Sequence, residues 1–361
     1  MATTNLRQNV RIIWAIASKD IVDALKNRTL LVVALGVLFL MLTGPALSLL
    51  INRDRPTLVM FAAAGPGKFQ SLEGRDDLRL VLVDSQEQLK AAILQPSQSV
   101  LGVVVPFGQA PEPPASLVLE GYTAHWVKES KVRELVAFFE SALSQAIGTT
   151  VSINIDGNSL YPSQSDSYQF TMVSLSLMIM ILLMGLALVP YLFIEEKESH
   201  TMEALLVSPA SFWQLVVGKM IAGTVYCLVA ATIVLLFNYR LVVHWELMLP
   251  TLLLATLFAV AVGLLLGMLF DNAASVGLWT GMLTIVLLVS PMLQTMGVGK
   301  IPSALQTALA WIPSSVIYNL VVLSMLGEAP IQPVWQGMLL LFGTTLVLCL
   351  LVVWRIRQMD R

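Results

Sequence analysis

The sequence predicts an α-helical integral membrane protein with six transmembrane helices, and three observations carry that prediction. Hydrophobic residues make up 57% of the 361-residue chain and charged residues only 12%, against roughly 45–50% and roughly 25% in soluble domains. Six windows (30–50, 170–194, 215–237, 247–270, 276–296 and 334–354) are apolar, free of central charge and long enough to cross a hydrocarbon core of about 30 Å. Lysine and arginine gather on one set of span flanks, as the positive-inside rule demands. A water-soluble enzyme is excluded as a description of the whole chain. The net charge of −2 gives no footprint for nucleic acid. Cys227 and Cys349 lie in apolar runs and His125, His200 and His244 are scattered, so neither a disulfide framework nor a metal site is expected.

Taken in order, residues 1–28 form an amphipathic interfacial helix. Leu6, Val10, Ile13, Trp14, Ala17, Ile21, Ala24 and Leu25 recur at helical spacing, with Arg7, Arg11, Ser18, Lys19 and Lys26 on other faces. The first span covers 29–51. The polar residues before it, and its full length, give no cleaved signal peptide. Residues 52–167 are richer in charge, Gly and Pro and predict a small α/β extracytoplasmic domain. Strands are expected at 80–83, 101–105 and 117–119, a helix capped by Ser85 at 85–94, and a long amphipathic helix at 127–147. This domain shows no catalytic constellation.

The remaining spans are 168–194, 213–239, 247–270, 274–296 and 334–354, with Trp213, Tyr239, Trp245, Trp335 and Trp354 as interfacial anchors. Residues 300–328 tempt as a seventh span, but Trp311-Ile312-Pro313-Ser314-Ser315 would break hydrogen bonds at membrane depth. They are read as re-entrant or interfacial helices, and 355–361 as a tail. Arg7, Arg11, Lys19, Lys26, Arg28, Lys197, Lys219, Arg355, Arg357 and Arg361 fall on the inner flanks, while the short outer loops hold only Arg240 and Lys300. Both termini are therefore expected in the cytoplasm, with the protein in the plasma (inner) membrane. Lys219, one turn inside its window, is expected to snorkel to the headgroups. Gly263 and Gly267 form a G-x-x-x-G for close helix approach, with a dimer seam as one use. Thr224, Tyr226, Thr232, Thr280, Thr284, Ser290 and Gln294 are expected in interhelical hydrogen bonds, and Pro291 is expected to kink the fifth span.

Residues 195–212 carry the function. Glu195, Glu196, Glu198 and Glu203 crowd the cytoplasmic end of a span, against the usual charge tendency. Met202, Leu205 and Leu206 supply an apolar edge to a short helix that Pro209 ends after Ser208. Ser211 then caps the third span, with Gln214 completing a capping box. An element rooted so directly in two spans can pass a push from a docked partner into the membrane.

The order E-x-K-E-x-x-T-M-E-x-L-L-V-S-P-x-S, followed by Gly218-Lys219, resembles the signature after the second span of ABC-2 type permeases. The sodium-exporter-like and drug-exporter-like branch is the most similar. One departure is Ser199-His200, where many members carry a glycine before the threonine. The resemblance implies a type-2 ABC exporter fold, and a transmembrane subunit working as a homo- or heterodimer with a second permease subunit and a separate ABC ATP-binding subunit. It also implies that Glu195, Glu196, Glu198, Thr201, Met202, Glu203, Leu205, Leu206, Ser208, Pro209 and Lys219 couple the permease to that ATPase. No G-x-x-x-x-G-K-[ST] occurs, so no catalytic role or cofactor is expected here; ATP and magnesium belong to the partner, and the remaining contact is membrane lipid. A secondary transporter is a competing reading, weakened by the lack of ionisable groups at mid-span. A membrane-anchored sensor with an outward ligand domain is another, and lacks an output domain. Drugs, lipids, peptides, polysaccharide precursors and sodium all remain compatible substrates.

Overall fold

The computed structural model describes residues 2–26, 55–62, 75–94, 99–105, 116–155, 157–162, 168–198, 211–295 and 302–359. The expected first span, and positions 199–210 of the coupling segment, lie outside the described residues. The chain divides into two compact units, Thr43–Gln169 and the combination of Met1–Leu42 with Phe170–Arg361.

The first of these units is an α/β sandwich. Strands β1 (Thr57–Ala62), β2 (Arg79–Val83), β3 (Val100–Val105), β4 (Ser116–Ala124), β5 (Thr150–Asn154) and β6 (Ser159–Leu160) alternate with helices α2 (Gln86–Ile93) and α3 (Glu129–Ile147). The sheet runs β2-β1-β3-β4-β5, with β6 beside β4. β1 is parallel to both β2 and β3, β3 is antiparallel to β4, and β4 is parallel to β5. Parallel strands need crossover connections: α2 links β2 to β3 on either side of β1, and α3 links β4 to its neighbour β5.

Alternation along the strands sends the two helices to opposite faces. Leu101 and Val103 join Leu58, Met60, Leu119, Val151 and Ile153 in a core closed by Leu135, Phe139, Ala142 and Leu143 of α3. Gly102, pointing the other way, leaves room for Leu89 and Ile93 of α2. Ser85 caps α2 by accepting from Gln88 N at 3.1 Å, as its sequence position predicts. Gly148 ends α3 in the left-handed conformation at φ 80.

In the second unit, helix α1 (Ala2–Lys26) precedes the spans. The second span is α4 (Tyr168–Leu183), a π-helical turn at Met184–Leu188, and α5 (Val189–Glu198). Then come α6 (Phe212–Asn238), α7 (Trp245–Leu269), α8 (Ala273–Thr295), the short pair α9 (Ser303–Ala310) and α10 (Pro313–Leu323), and α11 (Ile331–Met359). Five stretches among the described residues are long and apolar enough to cross a membrane: Phe170–Glu198, Phe212–Leu241, Trp245–Leu269, Ala273–Leu293 and Ile331–Gln358. Neither α9 nor α10 reaches that length. The break falls at Trp311 and Ile312, with Pro313 opening α10, where its missing N–H costs nothing.

Two expectations are corrected here. Gly263 and Gly267 are used inside the chain: a Cβ on Gly263 would lie 2.2 Å from the Gly185 carbonyl oxygen, and one on Gly267 would lie 3.1 Å from Pro190 Cα. They let α7 press against the second span, which leaves them no role at a dimer seam. Thr224 and Thr232 donate to Met220 O and Leu228 O of their own helix, so they do not bridge helices. Thr280, Tyr226 and Ser290 do bridge, to Leu186 O, Asp20 O and Ser315 Oγ respectively.

Candidate functional site: the root of the coupling segment

Helix α1 packs against α6 through one narrow face. Ile13 and Ile16 meet Gly218, where a Cβ would lie 2.8 Å from Ile16 Cγ2 and 3.3 Å from the Ile13 carbonyl oxygen. Ala17 and Asp20 on the same face are buried. Gln214 ties the helices further: its Oε1 accepts from Ser211 N at 3.0 Å, completing the capping box, and its Nε2 donates to Asn9 Oδ1 at 2.9 Å. Val10 and Trp14 sit on the neighbouring sector of the helix and stay exposed. The apolar arc of α1 is thus shared between a half that faces protein and a half left exposed.

Asp20 lies in the protein-facing half, and its partner is Lys219. The ammonium is fully buried, 3.3 Å from Asp20 Oδ2 and 2.9 Å from Glu196 Oε2. It also donates to the Leu192 carbonyl at 2.8 Å and stands 5.2 Å from the centre of the Phe193 ring. Three elements, α1, α5 and α6, are therefore pinned at one buried charge. Lys219 does not snorkel to the headgroups; two carboxylates inside the protein offer it more than water at the end of a longer reach. Burial pushes the Asp20 carboxyl above the usual carboxylate range, outweighing the pull of Lys219, and the nearby Glu196 charge adds to the rise.

The next two residues of α5 turn the other way. Lys197 Nζ donates to the carbonyls of Gly267 at 3.1 Å and Phe270 at 2.8 Å, and pairs with Asp271 Oδ1 at 2.8 Å. It thereby satisfies carbonyls that the end of α7 leaves without partners and complements the negative end of that helix. Its hydrogen bond and charge hold the Asp271 carboxyl below the usual range. Glu198 Oε1 accepts from Ala273 N at 3.2 Å, and Asn272 Oδ1 accepts from Ser275 N at 2.8 Å. The first turn of α8 thus receives both side-chain oxygens that its free N–H groups require.

Of the expected coupling residues, the structure brings Glu196, Glu198 and Lys219 into this knot and leaves Glu195 exposed on α5. Glu196 is a correction: a buried carboxylate held by Lys219 is not part of an acidic edge open to a partner. Thr201, Met202, Glu203, Leu205, Leu206, Ser208 and Pro209 lie outside the described residues. Asp20 was not singled out from sequence, although a carboxylate inside an apolar helical stripe is a usable signal that a buried cation waits opposite.

Comparison with curated proteins finds no match. A family model described as ABC-2 family transporter protein matches residues 28–354, nearly the whole chain. The chain belongs to that family, as a permease: a multi-pass membrane subunit of an ABC transporter.

Proposed function

We propose that this permease is the transmembrane half of an ATP-driven exporter, working as a dimer with a separate ATP-binding subunit. Residues 195–212 are the coupling element, and the partner ATPase supplies ATP, magnesium and hydrolysis. In this reading both termini and the coupling element face the cytoplasm, residues 29–51 add a sixth span, and the α/β unit lies on the far side of the plasma (inner) membrane. The drug- and sodium-exporter-like branch remains the best fit to the motif order.

One observation carries the proposal. The last turn of α5 is fastened on one side to α1 and α6 through Lys219, and on the other to the α7–α8 turn through Lys197 and Glu198. A push that reaches this turn moves several helices together. Ionisable groups at this knot are engaged by protein partners, so they give a secondary transporter no added support.

The test reverses two acidic residues of the segment. Exposed ion pairs are worth about 0–1 kcal/mol each, whereas like-charge contacts at an interface cost several kcal/mol. Glu195→Lys with Glu203→Lys should leave membrane insertion and dimerisation intact and abolish co-purification with the ATPase. Leu205→Ser with Leu206→Ser should do the same with less salt dependence. Full ATPase association and transport in both double variants would remove the coupling assignment. Sidedness is read independently with single cysteines: Gln109→Cys and Ser163→Cys should react with an impermeant reagent from outside, Ser18→Cys and Gln358→Cys only after permeabilisation.

A further inference from the structure

The second span is interrupted. Its α-helical hydrogen bonding gives way to a π-helical turn at Met184–Leu188, and Pro190 follows immediately. In an α-helix residue 190 would donate to Leu186, and in a π-helix to Gly185; proline donates to neither. Whichever of the two carbonyls would have received that bond is left without its donor, among packed helices where water cannot serve it. The neighbours answer for both. Thr280 Oγ1 of α8 donates to the Leu186 carbonyl at 3.2 Å. The Gly185 carbonyl is turned against Gly263 of α7, so close that a side chain there would collide with it, a placement suited to a weak Cα–H···O contact.

Thr280 differs from most threonines of the spans. Thr224, Thr232, Thr251 and Thr345 direct their hydroxyls to carbonyls of their own helices. Thr280 instead reaches a carbonyl of another span, at the turn where that span's own ladder is broken. The stretches above and below differ in their polar partners, although α6 touches both, through Cys227 Sγ to the Ile181 carbonyl of α4 at 3.7 Å and through Lys219 to α5. Above, Thr171 of α4 hydrogen-bonds Tyr318 of α10 at 3.0 Å. Below, Glu196, Lys197 and Glu198 fasten α5 to α1, α6, α7 and α8.

We infer that the second span is hinged at Met184–Pro190, and that Thr280 is the positioning residue whose hydroxyl sets the angle between its two halves. The inference rests on the permease reading for its purpose: α5 moves with the coupling element while α4 stays with α10. π-Turns and prolines are among the few recognised sites of sharp bending in helices. The single interhelical hydrogen bond at the turn gives the hinge a preferred state without locking it.

The experiment measures the hinge directly. Spin labels at Met172 and Tyr191, both exposed, bracket the turn in the purified full-length chain in lipid nanodiscs. Removal of one net hydrogen bond changes a two-state ratio by about two- to tenfold. Thr280→Val should therefore shift the distance populations by that factor, and Thr280→Ser should restore the wild-type distribution. Pro190→Ala returns a donor to the helix; it should narrow the distribution to one population and, with the ATPase bound, abolish the shift produced by a non-hydrolysable ATP analogue. Unchanged distributions in both Thr280→Val and Pro190→Ala would overturn the hinge. If no ATPase associates, the coupling proposal fails, and the nucleotide-free comparison still decides the hinge by itself.

Discussion

Lys219→Met removes one charge and keeps an unbranched side chain of similar length, and its consequences follow from the geometry of the knot. In the wild type a single ammonium serves Asp20, Glu196 and the Leu192 carbonyl, all within 3.3 Å. Without it, two buried carboxylates face each other and a carbonyl loses its donor. Breaking a buried ion pair from one side costs about 3–5 kcal/mol. A cost of that size should release α1 from α6, visible as proteolysis of the N-terminal helix and as a lower midpoint for unfolding in mixed micelles.

The loss should depend on pH, and its sign can be worked out. Burial already raises the Asp20 carboxyl, and Lys219 opposes that rise. In the variant the opposition is gone, so the folded state holds its proton to a higher pH. A carboxyl raised on folding contributes stability that is complete below its unfolded pKa and is lost as pH climbs through the folded value. The variant should therefore lie nearest the wild type in acid, below the ordinary carboxylate range, and fall progressively behind as pH rises. Combining Lys219→Met with Asp20→Asn and Glu196→Gln removes every charge and should recover most of the loss, since neutral replacement of a buried ion cluster is often harmless. A deficit below about 1 kcal/mol for Lys219→Met, flat with pH, would refute the view that this charge anchors α1.

Gly263→Ala should separate α7 from the second span and lower the unfolding midpoint, because its Cβ would meet the Gly185 carbonyl oxygen at 2.2 Å; Gly281→Ala, with nothing within 4 Å, should be silent. Phe139→Ala empties a fully buried position in the α/β unit and should cost that unit about 3–5 kcal/mol in denaturant unfolding. Asp271, held low by Lys197, contributes stability that is present above its unfolded pKa and lost as pH falls through the lowered value. Amide exchange at the α7–α8 turn should therefore accelerate only in acid, and the acid response should vanish in Asp271→Asn.

The spans were legible because each is a long apolar run, and the helix–turn–helix at 303–323 because Pro313 must open a helix instead of continuing one. Ser85 and the Ser211–Gln214 box were legible for the same kind of reason: their partners are three residues away. Strands β1, β5 and β6 were missed; in β1 the apolar run after Thr57 has no clear period. The π-turn was beyond sequence reasoning. Gly185 and Pro190 can be seen, but the register of the hydrogen bonds between them is settled by Gly263 and Thr280 from other helices. Lys219 was misread because its carboxylate on α1 lies 199 residues away in the chain, and an isolated lysine near a span end most often reaches for water.

The run Glu195-Glu196-Lys197-Glu198 shows how one helical turn can serve several surfaces. Successive residues on a helix point about 100° apart, so four adjacent charges cannot form one edge. Glu196 faces inward to Lys219, Lys197 meets the end of α7, Glu198 meets the start of α8, and Glu195 is left exposed. Glu196, Lys197 and Glu198 are thus held within the chain, which explains why acidic residues collect on a flank where cations are the rule. Their spacing sets the mechanics of the proposed coupling. Since each neighbour is gripped by a different residue of the same turn, no rotation of α5 can release one contact without straining the others. The whole turn must move as a unit, and the nearest place where the span can yield is the π-helical segment above it.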